Sequence, residues 1–161
     1  MIKFKEKNFI YLFLYVLIIL VCMKLKKFFS KMVDSNKKWD LSKLTDIQFK
    51  VTQNGGTEKP FTGEYDKFFE NGTYHCVVCD SELFKSDSKF DCGCGWPAFS
   101  HPIDESKIRE KEDLKFGMKR VETTCFNCDA HLGHVFTDGP APRYTRYCIN
   151  SASLIFYKTN I

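Results

Sequence analysis

The chain has 161 residues, 43% hydrophobic and 27% charged, which is room for one ordinary domain with a core plus a modest appendage and excludes wholesale disorder. Sixteen Phe and seven Tyr favour strands over a helical bundle. The net charge of +4 is unevenly placed: residues 1–40 carry nine Lys against Glu6, Asp34 and Asp40, a balance of +6, so the remainder stands at −2 and nucleic-acid binding is not expected.

Residues 9–23 are fifteen apolar residues in a row, flanked by Lys3, Lys5 and Lys7 before and Lys24, Lys26 and Lys27 after. As a helix this run spans about 22 Å, short of the roughly 30 Å hydrocarbon layer. A basic start and an apolar core of this length describe a secretory signal. No small-x-small cleavage site follows, so a removed peptide and an uncleaved signal-anchor with snorkelling lysines both fit. Lysines on both flanks leave the orientation open. Residues 1–30 are therefore read as a hydrophobic signal or signal-anchor segment, 31–38 as a basic linker and 39–161 as the functional domain. The expected location is the secretory or endomembrane system, or an organelle reached through it, with membrane contact through residues 9–23 only.

From Trp39 onward the pattern changes. Leu41, Leu44, Ile47 and Val51 recur at helical spacing behind Thr45 and Asp46, which predicts a short helix capped near Thr45 and ended by Gly55, Gly56 and Pro60. Later segments are short and bounded by turns. Residues 73–78, following the hairpin-type signal Asn71-Gly72, read as a strand, as do 119–125, 131–136, 146–151 and 154–157. The breaks are Asp138-Gly139-Pro140 and Pro142. The expectation is a mainly antiparallel β domain over about residues 40–161.

Seven of the eight cysteines lie between residues 76 and 148. Cys76-Val77-Val78-Cys79 and Cys125-Phe126-Asn127-Cys128 are two CxxC knuckles. Each turn directs both sulfurs to one centre, and two turns supply the four thiolates that tetrahedral Zn²⁺ accepts. The 45 residues between the knuckles exceed a compact zinc ribbon, so the ion would join two distant hairpins. A pair of disulfides or redox-active CxxC motifs is the alternative, although neither knuckle has a thioredoxin-like strand-helix context.

Cys92, Cys94 and Cys148 have no such partner. Cys94 sits in Gly93-Cys94-Gly95-Trp96-Pro97, a loop whose backbone can approach a ligand closely. On a strand through Arg146-Tyr147-Cys148-Ile149-Asn150, Arg146, Cys148 and Asn150 share one face. A guanidinium beside a thiol favours the thiolate, so Cys148 reads as a nucleophile or, more simply, as a small buried hydrophobe. His131 and His134 are open to structural or ligand roles, and Asp138 is positioned to orient the His134 imidazole.

The blocks GTYHCVVC, KFDCGCGWPAF, VETTCFNCDAHLGHVFTDGP and RYCINSASLIF together resemble the methionine sulfoxide reductase B family, over about residues 39–161 and in the family's order. The resemblance implies two packed antiparallel sheets (an Mss4-like, β-tent arrangement) with a short N-terminal helix and a structural Zn²⁺ site of Cys76, Cys79, Cys125 and Cys128. It also implies that 39–161 is a methionine-R-sulfoxide reductase domain, with Cys148 as catalytic nucleophile and Cys94 as resolving cysteine. Trp96, His131, His134, Asp138, Arg146 and Asn150 then form the substrate pocket. The implied reaction passes through a Cys148 sulfenic acid and an intramolecular disulfide recycled by a thioredoxin-type reductant. The substrates are oxidised proteins or free methionine sulfoxide, and a monomer is expected.

Two departures stand out. Cys92 replaces a small residue such as Ser and reads either as a second resolving thiol or as a filler of that position. Arg143-Tyr144-Thr145 replaces a Gly-containing turn. The competing classes are a non-enzymatic zinc-binding module of the Mss4 type, which needs neither Cys148 between Arg146 and Asn150 nor Cys94 beside Trp96, and a CxxC disulfide oxidoreductase, which needs no zinc.

Overall fold

A computed structural model describes residues 39–159, so the signal-like run 9–23 and the linker 31–38 lie outside the described residues. Among the described residues, no helix is long and apolar enough to cross a membrane. The Asp40 carboxylate accepts from the Ser42 amide and shapes a 3-10 turn, Leu41–Lys43. Helix α1 then runs Asp46–Asn54 under a reciprocal cap at Thr45: its Oγ1 accepts from the Gln48 amide and Gln48 Oε1 accepts from the Thr45 amide. It ends at Gly55, whose φ of 62° is the left-handed conformation glycine reaches without a Cβ penalty. The cap stands at Thr45 as expected, which leaves Leu41 and Leu44 outside the helix. Of the expected apolar stripe, Val51 is fully buried and Ile47 is exposed.

Nine strands follow among the described residues: β1 Gly72–Cys76, β2 Glu82–Lys85, β3 Lys89–Phe90, β4 Ala98–Phe99, β5 Ile108–Asp113, β6 Arg120–Cys125, β7 His131–Phe136, β8 Arg146–Ile149 and β9 Leu154–Lys158. They form a three-stranded sheet, β2-β1-β9, and a six-stranded sheet, β3-β4-β8-β7-β6-β5, with every pairing antiparallel. Among the described residues the fold is thus mainly β, with two antiparallel sheets and one short helix, as expected.

Asn71-Gly72 does not make the hairpin turn its composition suggested. Gly72 opens β1 opposite Lys158, and a Cβ there would collide with the Tyr157 carbonyl and the Phe156 ring. The hairpin turns are the knuckles themselves. In the first, the Asp80 amide donates to Cys76 O and the Cys76 amide to Ser81 O, both at 2.9 Å. In the second, Asp129 donates to Cys125 O and Cys125 to Ala130 O, again at 2.9 Å. Asp80 and Asp129 both take φ of 59°, a conformation in which Asp is among the better tolerated residues.

The sheets meet through aromatic side chains. Phe84 of β2 stacks on Phe99 of β4 with centroids 4.4 Å apart, and Tyr74 of β1 meets the same ring edge-on at 5.1 Å. Such pairs are worth about 0.5–1.5 kcal/mol beyond the area they bury. Leu132, Tyr147, Ile149 and Leu154 complete this core. On β8, Tyr147 and Ile149 point into it, so strand alternation turns Arg146 and Cys148 to the opposite face.

Candidate active site and metal centre

Register places Cys148 at the centre of the six-stranded sheet, opposite His134 on β7 and Ala98 on β4. Directly opposed residues share a face, so His134, Cys148 and Ala98 form one row, with Phe136 and Arg146 as the next. Gly133 makes this spacing possible: a Cβ there would run into the backbone of Cys148 and Ile149.

His134 and Cys148 of this row line a cavity of about 110 Å³ together with Thr57, Trp96, Arg120, Gly133, Phe136 and Asn150. Trp96 is held there by its indole N–H, which donates to Glu58 O at 3.2 Å. A groove of about 640 Å³ along α1 is larger but contains neither Cys nor His, so size does not mark the chemistry. Of the expected pocket residues, the fold brings Cys148, Trp96, His134 and Asn150 together at this cavity, whereas His131, Asp138 and Arg146 are not among its walls.

Asn150 lies just past the end of β8 and is committed to the scaffold. Its Oδ1 accepts from the Glu58 amide at 3.0 Å and its Nδ2 donates to Leu132 O at 2.9 Å. Asp138 does not orient His134. It binds Arg146 through both oxygens, at 2.8 and 2.9 Å, and Arg146 lies over the Phe136 ring at 4.3 Å. The carboxylate that meets His134 Nε2, at 2.9 Å, belongs to Asp113, which also accepts from Arg120 Nη2 at 2.7 Å. These partners hold the Asp113 carboxyl well below the usual range, His134 contributing most. His131 is buried, with Nδ1 2.7 Å from Glu122 Oε1 and its ring edge-on to His134. Burial lowers its pKa against the pull of Glu122, and its Nε2 has no hydrogen-bond partner among the described residues.

Sequence reasoning missed Asp113, Arg120, Glu122 and Glu58. Asp113 closes the charged strand Ile108–Asp113, in which only the two ends are buried, so no alternation betrays it. Arg120 opposes Asp113 in the β5–β6 register, and Glu122 faces His134 from β6. Glu58 accepts from the Ser151 and Ala152 amides at 2.6 and 2.9 Å, a contact across more than ninety residues that no local pattern announces.

Cys148 is a free thiol. Arg146 favours its thiolate, as expected, but does not set the net direction. The guanidinium does pull the pKa down, but burial outweighs it and pushes the thiol up. Cys94 Sγ lies 3.8 Å from Cys148 Sγ, and Cys94 is itself joined to Cys92 in a disulfide. In the loop between β7 and β8, Tyr144 adopts φ of 53°, so the chain keeps a left-handed turn there without the expected glycine.

At the far ends of β1 and β6, the sulfurs of Cys76, Cys79, Cys125 and Cys128 all lie within 4.8 Å of one another. Two of the separations are 3.6 Å (Cys76–Cys128) and 3.5 Å (Cys79–Cys125). Tetrahedral Zn–S bonds of 2.3 Å imply about 3.8 Å between sulfurs, so this donor set fits a metal ion. Because β1 belongs to the small sheet and β6 to the large one, the cluster joins the two sheets.

A cavity-facing free cysteine thus lies opposite a histidine and beside a disulfide loop, on a scaffold whose four-cysteine cluster could hold a metal ion. Residues 44–158 match the family model of the SelR domain. The peptide methionine sulfoxide reductases MsrB of Escherichia coli K12 / DH10B and of E. coli O157:H7 (EC4115) are each 58% identical to this chain over 113 residues, covering 70% of this chain and 82% of the relative. The chain belongs to the methionine sulfoxide reductase B family.

Proposed function

We propose that the domain 39–161 reduces methionine-R-sulfoxide, free or within proteins, to methionine, with Cys148 as nucleophile. The observation that carries this reading is the free Cys148 thiol in the Trp96-walled cavity, opposite His134 and 3.8 Å from the Cys94 sulfur. The Cys148 sulfur attacks the sulfoxide sulfur while a proton reaches the sulfoxide oxygen from water or from His134. Methionine departs and oxygen remains on Cys148 as a sulfenic acid. Cys94 then attacks that sulfur, water leaves, and a Cys94–Cys148 disulfide remains for a thioredoxin-type dithiol to reduce.

Trp96 and Phe136 supply the apolar contact for the S-methyl group, so sulfur geometry sets epimer choice. Arg146 and Asp138, locked together at the rim, and His131 behind His134 hold the walls. Cys76, Cys79, Cys125 and Cys128 hold a structural Zn²⁺, which supplies a cross-link between the sheets and no reaction step. Residues 1–30 act as a signal or signal-anchor that directs the domain into the secretory system, supported by the lysine-flanked apolar run 9–23. The domain works as a monomer.

The test offers the separate R and S epimers to the full chain with thioredoxin and its reductase, following NADPH loss. Turnover of the R epimer alone, abolished in Cys148→Ser, is expected. Retention of activity in that variant would overturn the mechanism.

A further inference from the structure

We infer that Cys92 is a third redox thiol of this site, which moves the disulfide from the cavity-lining nucleophile to the solvent side of the loop before the reductant acts. The inference rests on the reductase reading above. Three sulfurs stand in sequence: Cys92 is bonded to Cys94, and Cys94 lies 3.8 Å from the free thiol of Cys148. That is the bond arrangement left after Cys94 has been released from Cys148.

The surroundings of the three sulfurs differ in the direction a relay requires. Cys148 sits in the cavity, where burial dominates its titration. Cys92 and Cys148 are both partly buried, but Cys92 is flanked by exposed Asp91 and Gly93, whereas Cys148 lies between buried Tyr147 and Ile149. Gly93, at φ of 66°, has open space where a Cβ would be, whereas Gly95, at 91°, is packed against Pro60 and Phe61. The Phe61 amide also donates to Gly95 O at 2.8 Å. The Gly95 end of the loop is thus tied down beside the cavity and the Cys92 end opens to solvent. A protein dithiol must bring its own sulfur in line with the bond it breaks, which an accessible disulfide permits and a cavity-bound one resists.

The chemistry needs no reagent beyond those already named. Cys148–SOH and Cys94–SH give the Cys94–Cys148 disulfide and water. The Cys92 thiolate then attacks the Cys94 sulfur, forming Cys92–Cys94 and expelling the Cys148 thiolate. Finally the thioredoxin-type dithiol reduces Cys92–Cys94 to two thiols and is itself oxidised to a disulfide.

The relay regenerates Cys148 before any reductant arrives, and this sets the stoichiometry of a reductant-free reaction. The fully reduced full chain, freed of dithiol, is mixed with excess methionine-R-sulfoxide. Methionine is quantified, and the cysteines are mapped by alkylation and peptide mass spectrometry. The wild type should yield two methionines per chain, with a Cys92–Cys94 disulfide and the second oxygen on Cys148. Cys92→Ser should yield one, with a Cys94–Cys148 disulfide. One methionine and a Cys94–Cys148 disulfide in the wild type overturns the relay, whether or not the variant folds. No methionine from the wild type overturns the reductase reading and the relay together.

Discussion

His134 Nε2 lies 2.9 Å from Asp113 Oδ2, and this contact joins β7 to the end of β5 across the intervening strand β6. Asp113, paired also with Arg120, stays ionised, so it accepts the Nε2 proton and leaves Nδ1 of a neutral ring as an acceptor. Because Nε2–H is committed to Asp113, a proton passed from His134 to the sulfoxide oxygen would have to leave from Nδ1.

Asp113→Asn should lower kcat/KM about 10- to 100-fold, the equivalent of the roughly 1.5–3 kcal/mol of a hydrogen bond to a charged group. It should also move the pH profile of turnover, which a purely structural role would leave in place. The folded-state pKa of Asp113 is depressed, so its contribution to stability is present above the ordinary value of about 3.9 and is lost as pH falls through the lowered one. Wild type and variant should accordingly converge in urea-unfolding stability in strong acid. An unchanged profile and equal stability at neutral pH would remove Asp113 from the site.

The reactivity of Cys148 should rise with pH to a midpoint above the ordinary thiol value of about 8.5, because burial raises its pKa more than Arg146 lowers it. Arg146→Met removes the lowering influence and should move the midpoint further up. The measurement is the rate of iodoacetamide labelling of the Cys148 peptide as a function of pH, read by mass spectrometry. A midpoint that falls in Arg146→Met would reverse the sign assigned to the guanidinium.

Loss of the four-cysteine cluster should loosen the two sheets from each other, since β1 and β6 meet there. The purified chain should carry one zinc ion by elemental analysis. Cys125→Ser should lose it and unfold at a markedly lower temperature, because metal binding at such sites is folding free energy. Unaltered thermal stability in strong chelator would show that the sulfurs cohere without an ion.

Gly133→Ala should cost about 1–3 kcal/mol, the usual penalty for an added methyl where nothing can yield. Its Cβ would meet the Cys148 and Ile149 backbone, not a movable side chain. Separating β7 from β8 would also pull His134 away from Cys148, so activity should fall along with urea-unfolding stability. A stable and fully active variant would mean that the strand pair has slack that its register does not suggest.

Much of the fold could be read without coordinates where the signal is local. The cap at Thr45, the strand His131–Phe136 and the two knuckles depend on residues within five positions of each other, and each stands as expected. Strands β2, β3, β4 and β5 were missed because they are very short or lack alternation: β2 buries two adjacent residues and β5 buries only its ends. Asn71-Gly72 misled because a close approach by Tyr157 and Phe156, not a turn, demands the glycine.

By itself the sequence determined the chemistry available: four thiolates at knuckle spacing, Cys148 flanked by Arg146, and Cys94 between glycines beside Trp96. Side-chain type and short spacing set which atoms can bind metal or attack sulfur, and these travel with the chain whatever its fold. Only the tertiary structure decided the partners. It gave His134 to Asp113 and not to Asp138, committed Asn150 to Glu58 and Leu132, and let burial outweigh Arg146 at Cys148. Those outcomes follow from strand register and from how completely water is excluded, quantities that depend on residues tens of positions away.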